Sequence, residues 1–508
     1  MLDNQPLLTN AIQSAIDSVR QMIPPLQSTP LLMCILSPLA EGADRLVARE
    51  VLHLPTTVLE VILPMEKVDY IQDFETEKSK KEFEELLAEA SSIRTLSPTT
   101  SRVEAYEQAG RYVVDQCDVL IAIWDGKSSA GRGSTQETVQ YAKDNSCPLV
   151  WIHAEDPSRI DVEMGRGLDT RPFYDLDEYN SERVAPARFK SQFSRYAGFF
   201  AGEAKNAKLP SDRLRPTIEY ILSHYVRGDI LALNYQHIYY RAEMLVYMLA
   251  LAAVVIAAFQ IIFMPDRPII LVSEILLMLS VLGIVYVGKR RRWHKKWIDY
   301  RFLAERFRSA IFMAVASVEV TMLRPPRHLS LAYEPKDWMV GTFASVWSQR
   351  PRWKITNNSL LERVSKFLCE AWIEDQIQFH AGTQKRHRQR HRLMTKTSYT
   401  LFGLTIVVAI LHVADVGPHL LATIFAFMAV TLPAAAASTT AVRTHRDYLR
   451  NSMRSAEMVR HLTELKDKMA CVHNLDRFFT LVKETEETML HENEDWRVVV
   501  RFHTIEPA

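Results

Sequence analysis

Residues 244–264 read MLVYMLALAAVVIAAFQIIFM, a run of 21 residues without a charge. At about 1.5 Å per residue, a helix of this length crosses the hydrocarbon core of a bilayer, which is about 30 Å thick. A short polar break follows, and residues 269–288 are then apolar apart from Glu274. Two helices joined by so short a turn must be antiparallel. We therefore predict that this stretch crosses a membrane twice.

Basic residues indicate which way the pair is oriented. The second apolar run is followed by KRRRWHKK, residues 289–296. Since lysine and arginine are enriched on the cytoplasmic side of membrane proteins, both outer ends of the pair are expected in the cytoplasm. This predicts a multi-pass protein of the inner (plasma) membrane, in contact with the lipid bilayer, whose soluble parts are cytoplasmic.

The overall composition does not reveal these runs. The chain has 508 residues, a net charge of +1, 48% hydrophobic residues and 24% charged residues. Because there is no basic excess, a nucleic-acid partner is not predicted. The five cysteines lie far apart and include no CxxC pair, so we expect reduced thiols rather than a disulfide framework or a zinc site. No metal site is predicted.

The first 155 residues alternate short apolar runs with helical patterns. Strands are predicted over 31–37, 58–63, 119–124 and 149–153, and helices over 11–23, 75–90 and 101–117. This alternation is typical of an α/β Rossmann-like domain with one parallel sheet. Ligands bind to such sheets beyond the carboxyl ends of the strands.

Two loops follow strands of this predicted sheet. The first is SPLAEGADR (37–45), in which Gly42 permits a tight turn and the next helix offers free N–H groups to an anion. The second contains Asp125, Gly126 and then GRGSTQE (131–137), in which Ser134 or Thr135 is expected to cap the next helix. Ordinary strand-to-helix turns have the same composition, and the residues alone leave that alternative open. The candidate ligand-binding residues are Leu39, Glu41, Gly42, Asp44, Arg45, Asp125, Gly126, Gly131, Gly133, Ser134 and Thr135.

Several of these segments, in the same order, resemble the SLOG superfamily of Rossmann-like domains. The resemblance covers residues 31–151 and rests on SPLAEGADRLVARE, AYEQAGRYVVDQCDVLIAIWDG and GRGSTQETV. It implies a nucleotide or NAD-derived ligand and no other cofactor. Relatives open with a further strand and a glycine–histidine–arginine motif, so a strand and part of the pocket are expected to be missing or to lie upstream. Hydrolytic members carry a glutamate where this chain has Thr138, with Glu137 one residue earlier. The resemblance therefore favours sensing, and no catalytic residue is predicted.

The membrane pattern occurs a second time. Residues 397–414 and 420–442 are apolar runs, the second interrupted by Pro433, and the motif AExxR occurs at both 304–308 and 456–460. Its glutamates, Glu305 and Glu457, lie 17 residues after position 288 and 15 after position 442. This predicts an internal duplication of a helix, two spans and a helix. The predicted domains are 1–155, a linker with a peripheral helix at 156–228, a first membrane unit at 229–320, a connecting segment at 321–371 and a second membrane unit at 372–508.

Polar residues in or near the spans are candidates for pore or coupling roles. Glu274 either lines a pore or reaches the membrane surface, because a charge inside a bilayer is costly unless it is paired or solvated. The repeated motif suggests coupling through the helix after each pair of spans. The histidines beside the spans (His387, His391 and His445) are interpreted as interfacial charge rather than metal ligands. The pore or coupling candidates are Glu274, Glu305, Arg308, Glu457 and Arg460.

Two spans followed by a helix with AExxR resemble the SLATT domains, which accompany SLOG domains in bacterial conflict systems as membrane-disrupting or pore-forming effectors. The fold class predicted is an α/β Rossmann-like N-terminal domain plus an all-α membrane domain with four transmembrane helices in two hairpins. The function predicted is a sensor-effector of antiviral or conflict defence, acting as a homo-oligomer because four spans are too few to enclose a wide pore. A membrane-tethered hydrolase of nucleotides or NAD and a non-binding scaffold remain alternatives.

Overall fold

The computed structural model describes residues 5–54, 57–127, 133–165, 167–318, 338–355, 358–472 and 474–501. Contacts within the chain group it into two units, Met1–Ser181 and Glu182–Ala508. The first unit combines strands with short helices, and the second is helical throughout its described residues.

The first unit contains six strands and seven helices among its described residues. The strands are β1 (Met33–Ser37), β2 (Thr57–Leu63), β3 (Ser92–Thr95), β4 (Leu120–Trp124), β5 (Leu149–His153) and β6 (Ile160–Glu163). The helices are α1 (Gln5–Met22), α2 (Ala43–Leu52), α3 (Lys67–Tyr70), α4 (Glu77–Glu89), α5 (Arg102–Gln116), α6 (Thr135–Asp144) and α7 (Arg171–Ser181). All four strands predicted from apolar runs are confirmed. The short strands β3 and β6 were not predicted.

The strands form two ladders rather than the single parallel sheet that was predicted. One ladder has the parallel order β1-β2-β3, and the other has the order β4-β5-β6, in which β6 is antiparallel to β5. One apolar cluster unites them, because Ile12 and Ile16 of α1 share it with Ile35 of β1, Ile121 of β4 and Val150 of β5. Packing of α1 therefore holds the two ladders together where no strand ladder joins them within the described residues.

The second unit is built from long helices. They are α8 (Pro186–Asn206), α9 (Ser211–Phe263), α10 (Leu271–Arg290), α11 (Trp293–Val315), α12 (Trp338–Ser348), α13 (Asn358–Phe367), α14 (Asp375–Val413), α15 (His419–His445), α16 (Tyr448–Ala470) and α17 (Leu475–Arg501). A π-helical turn, Leu368–Glu374, joins α13 to α14. The described part of the chain contains four helical segments long and apolar enough to cross a membrane: Ser211–Phe263, Pro268–Arg290, Ser359–Val413 and His419–Ala470. These four candidate segments equal the predicted spans in number.

Only part of each long helix is suited to a bilayer. At 53 residues, α9 is about 80 Å long, so its uncharged C-terminal part alone matches the membrane thickness. That part packs against α10, whereas the polar N-terminal part packs against α11. In the same way, α14 contacts both α15 and α16. The apolar surfaces of these spans are largely unburied by protein, as expected of helices whose solvent is lipid.

The two sets of membrane helices share a backbone feature. Between α10 and α11, Arg292 adopts a left-handed conformation with φ of 51°, and between α15 and α16, Asp447 does the same with φ of 45°. Each of these residues precedes the first residue of the next helix and separates it from the apolar helix before it. The order of long helix, short turn, helix, left-handed residue and helix therefore occurs twice, although the duplication itself stays a prediction.

Candidate functional site

The first predicted loop forms a tight backbone turn between β1 and α2. Leu39 is buried with φ of 56°, and Gly42 has φ of 95°, in a region that favours glycine. The Leu39 N–H donates to the Ser37 hydroxyl at 3.0 Å, and the Ala40 N–H donates to the Asp44 carboxylate at 3.3 Å. Burial raises the pKa of Asp44 to about 6, although the Ala40 hydrogen bond and the nearby Arg45 oppose the shift. Glu41 is exposed beside the turn.

The side chain of Arg45 points into the unit and away from this loop surface. It is only 1% exposed and lies over the Phe74 ring, 4.3 Å from its centroid. Its Nε donates to the Leu39 carbonyl at 3.0 Å, and its Nη1 donates to the carbonyl and hydroxyl of Ser79 at 2.8 and 2.7 Å. In this conformation Arg45 links the first loop to α4 through hydrogen bonds. These contacts give Arg45 a structural role, and its predicted contact with a phosphate stays a prediction.

The second predicted loop leads from β4 into α6. The Asp125 carboxylate accepts a hydrogen bond from the Lys127 N–H at 3.0 Å, and Gly126 has φ of 80°. Gly131 lies outside the described residues. The prediction that Ser134 caps the helix is confirmed, since its hydroxyl accepts from the Glu137 N–H at 3.4 Å. Thr135, the first residue of α6, is exposed.

Glu137 contacts the backbone of this second loop. Its carboxylate accepts a hydrogen bond from the Gly133 N–H at 2.7 Å, which completes a reciprocal cap with Ser134. Thr138, at the position that the resemblance made important, donates to the Ser134 carbonyl at 3.3 Å. These hydrogen bonds are those of a helix cap.

The two loops approach each other at the start of α5. Tyr106 packs on the cluster that contains Leu39, and a Cβ placed on Gly133 would come within 2.8 Å of the Tyr106 Cβ. Gly133 therefore permits close contact between the second loop and α5. The chain leaves β3, at one end of the first ladder, and crosses through α5 to β4, at one end of the second. The chain therefore passes from one ladder to the other through α5, the helix that both loops approach.

A second candidate site is a buried set of charged and polar residues in the helical unit. We call it the ion network; its members are Asp229, Arg301, Glu305, Arg308, Gln376 and His380. Glu305 is central, because it forms ion pairs with both Arg301 and Arg308. Arg301 also bonds to Asp229 at 3.0 Å, and Arg308 donates to the Gln376 amide oxygen at 3.0 Å. The network thus connects α9, α11 and α14.

Burial and charge have opposing effects on the acids of the ion network. Burial raises the pKa of Asp229, and the neighbouring Arg301 only partly offsets that effect. Burial would also raise the pKa of Glu305, but Arg301 and Arg308 together hold it below its ordinary value. Glu305 is therefore a stable anion between two cations. The coupling role predicted for Glu305 from the repeated motif stays a prediction.

His380 makes the ion network sensitive to acid. Burial, with a contribution from Arg308, lowers the pKa of His380 from 6.5 to about 4. As the pH falls from 6.5 to 4, the unfolded chain binds a proton that the folded protein excludes, so folding stability is present above pH 6.5 and is lost progressively below it. We expect His380→Gln to reduce this acid-side loss by about 3 kcal/mol, since one pKa unit corresponds to about 1.4 kcal/mol. Unfolding at pH 7 and pH 4.5 measures it; an unchanged pH dependence would contradict the expectation.

The second copy of AExxR has a different environment. The side chains of Glu457 and Arg460 are 58% and 59% exposed, whereas that of Glu305 is 3% exposed. Glu457 pairs with Arg460 and with His461 one turn along the same helix, and Arg460 also pairs with Glu464 at 3.2 Å. These local surface pairs reach no other helix. The motif is therefore shared by the two copies, while the interhelical contacts belong to the first.

A further junction at the membrane boundary was missed by the sequence reading. Glu243, the residue before the first span, is buried and lies 2.8 Å from both His445 and Arg446. Arg446 also covers the Tyr240 ring, 3.6 Å from its centroid. These contacts join α9 to the end of α15. The sequence does contain a signal for this contact, since Glu243 comes directly before one predicted span and His445 and Arg446 follow another closely.

The remaining predicted residue, Glu274, lies apart from both sets. It is half-buried in the first turn of α10, at the opposite end of that helix from Lys289 and Arg290. Pro433 lies inside α15, which continues through it as one helix. Neither position joins the ion network.

Comparison with known families gives one match. Residues 369–496 match the family described as SMODS and SLOG-associating 2TM effector domain 1. The matched region begins in the π-helical turn and includes α14, α15, α16 and most of α17. A search of curated proteins finds no match to the chain. The matched region is thus similar to a two-span effector domain.

Proposed function

We propose that this protein is a membrane-anchored sensor-effector whose first unit binds a nucleotide-derived ligand and whose helical unit then disrupts or opens the membrane. The observation that carries the proposal is the similarity of residues 369–496 to a two-span effector family, in a chain with four apolar helices able to cross a bilayer. Both features support an action of the helical unit on the membrane. Inner-membrane location, cytoplasmic soluble units and a role in conflict defence are parts of the proposal.

Ligand binding by the first unit is supported by the position of the two loops, which both lie beside Tyr106 of α5. The first loop brings an uncapped helix start at Gly42, and the second brings Asp125 and the exposed Thr135. Helix starts with free N–H groups favour anions such as phosphate. Asp125 is suited to a ribose hydroxyl, as carboxylates are in other nucleotide sites. Arg45 is omitted from this set because its Nε and Nη1 are engaged inside the unit.

The proposed action of the helical unit on the membrane is supported by the ion network and by the contacts of Glu243 with His445 and Arg446. Both connect helices of the first span pair with helices of the second, so a shift of one pair must break or move buried charges of the other. Buried charges have few acceptable arrangements, which favours two discrete states over gradual deformation. We infer that the full pore contains several copies, because four spans enclose little space.

The test combines binding, turnover and leakage on the full chain reconstituted in dye-loaded vesicles. ATP, NAD⁺, ADP-ribose and cyclic dinucleotides are the probes. We expect at least one to bind without release of base or ribose phosphate, and the same compound to release the dye. Turnover of a probe would favour a tethered hydrolase, and absence of binding and leakage across the panel would favour a scaffold; either result overturns the proposal.

A matched pair of variants localises the binding site. Thr135→Val removes an exposed hydroxyl at the start of α6, and Asp144→Asn changes an exposed residue at the other end of the same helix. We expect Thr135→Val to weaken probe binding by about tenfold or more, as for loss of a charge-assisted hydrogen bond, and Asp144→Asn to leave it unchanged. If calorimetric titrations give equal affinities for the two variants, Thr135 does not contribute to the binding site.

A further inference from the structure

Six cations lie on α14 just before its apolar part. They are Lys385, Arg386, Arg388, Arg390, Arg392 and Lys396, and no Asp or Glu occurs between residues 376 and 414. Surface helices usually balance such charges with acids one turn away. Here the helix offers none, so this segment carries a concentrated positive charge up to the membrane boundary.

These cations also lack acidic partners from other helices in the described structure. Across the described ranges, none of the six lies within 4.0 Å of a carboxylate. Three other basic residues near the boundary have acidic partners: Lys295 pairs with Asp299 at 2.9 Å, Lys296 with Glu182 at 2.6 Å, and Arg446 with Glu243 at 2.8 Å. Charge on α14 is therefore available to an anion from outside the chain.

Four of the six share one face of the helix. The spacing of Lys385, Arg388, Arg392 and Lys396 is three, four and four residues, which places them on one stripe about 16 Å long. The C-terminal end of the stripe borders a shallow, open groove of about 600 Å³ on the surface of α14. Its lining residues are His391, Arg392, Thr395, Lys396, Tyr399 and Thr400.

A seventh cation, on the neighbouring helix, contacts one of these lining residues. Arg443, in the last turn of α15, donates to the Thr395 hydroxyl at 2.9 Å. Tyr399, at the start of the apolar part, is 74% exposed and presents a ring with a polar tip at the height where aromatic residues meet lipid headgroups. The groove thus combines guanidinium, ammonium and hydroxyl groups within one turn of the membrane boundary.

The stripe continues into the membrane as an apolar one. Phe402, Ile406, Ile410 and Val413 follow Tyr399 at intervals of three, four, four and three residues, and all four are exposed. A molecule seated in the groove could therefore place an anionic group among the cations and a hydrocarbon chain along α14. A free phosphate would use only the first half of this surface.

We propose that the groove on α14 binds the phosphate of an anionic phospholipid, with an acyl chain along Phe402, Ile406 and Ile410. Arg392 is suited to bidentate contact with phosphate, and Lys396 adds a compact charge at the boundary. Lipid at this position would fix the height and tilt of the second span pair relative to the headgroups. The proposal requires only that α14 spans the membrane, and it holds whatever ligand the first unit binds.

The test uses the full chain in phosphatidylcholine nanodiscs that contain a trace of spin-labelled phosphatidylglycerol or phosphatidylcholine. The fraction of immobilised label measures the preference for the anionic lipid. We compare Arg392→Gln/Lys396→Gln with Arg386→Gln/Arg390→Gln, which removes the same charge from a different face of the same helix. The groove variant is expected to lose about fivefold in preference for each cation removed, since each contributes about 1 kcal/mol near an anionic surface.

The control pair is expected to change by less than twofold. Equal losses in both pairs would reduce the effect to general attraction by charge and overturn the proposal, as would an unchanged preference in the groove variant. In a further measurement, inorganic phosphate is added at constant ionic strength to test whether it displaces the labelled lipid. Displacement of the labelled lipid by phosphate alone would assign the groove to a free anion instead. The four substituted side chains are exposed, so little effect on folding is expected. If the double groove variant does not fold, the single variant Lys396→Gln replaces it, with an expected loss of about fivefold in preference for the anionic lipid.

Discussion

Glu305→Ala is expected to destabilise the helical unit by about 3 kcal/mol, while the same change in the second motif, Glu457→Ala, leaves its unfolding midpoint unchanged. Removing one partner from a buried ion pair costs about 3–5 kcal/mol, because the opposite charge stays buried without compensation. Glu305 compensates two such charges, Arg301 and Arg308, whose side chains are 28% and 19% exposed. Their partial hydration places the expectation at the lower end of that range.

The two variants make a controlled comparison because the motif and the substitution are the same. Glu457 contacts only residues of its own helix at the surface, so water replaces its carboxylate readily. Thermal unfolding of the full chain in detergent, followed by far-UV circular dichroism, measures the difference. Glu305→Gln serves as a further variant, since it keeps the volume and removes the charge. If Glu305→Ala and Glu457→Ala melt together, the ion network does not hold α9, α11 and α14 in place.

Features carried by long apolar runs could be predicted from the sequence, because the signal is local. The spans at 244–264 and 397–414 are uncharged for longer than a soluble core helix requires, and they lie in helices able to cross a membrane. Strands β1 and β4 are equally local, since their apolar residues stand between loop signals. In contrast, β3 (Ser92–Thr95) is polar and exposed, and only pairing with β2 makes it a strand.

Features that depend on contacts between distant segments could not be predicted. The motif at 304–308 and that at 456–460 have the same letters, and only packing against α9 and α14 decides that Glu305 is buried. The division into two ladders likewise depends on how α1 packs on both, which strand patterns do not report. The orientation of the Arg45 side chain also depends on contacts with distant segments. A glycine-bearing loop next to an arginine suggests phosphate, but burial against Phe74 and Ser79 gives the side chain another role.

Arg45→Ala is expected to destabilise the first unit by about 3–5 kcal/mol and to abolish ligand binding indirectly. Truncation removes the hydrogen bonds to Leu39 and Ser79 and leaves their buried oxygens without a donor, at a cost of about 1–3 kcal/mol for each unsatisfied group. It also removes a side chain that is 1% exposed and packs over Phe74, so a cavity forms between α2 and α4.

Hydrogen exchange of the full chain locates this effect. Peptides from α2 and α4 are expected to exchange faster in Arg45→Ala, because those helices lose their shared contact, whereas peptides from α14 and α15 keep the wild-type rate. Arg45→Lys is expected to rescue little, since an ammonium group cannot reproduce the Nε and Nη1 bonds of a planar guanidinium.

Thr135→Val provides the contrast that separates structure from recognition. Its hydroxyl is at the surface of α6, so the variant should keep the exchange rates of the wild type while losing affinity for the nucleotide probe. If instead Arg45→Ala retains normal exchange in α2 and α4 and loses only affinity, then its guanidinium faces the ligand in the bound state. The first loop must in that case open on binding, because the present contacts of Arg45 leave its Nε and Nη1 no room for a phosphate.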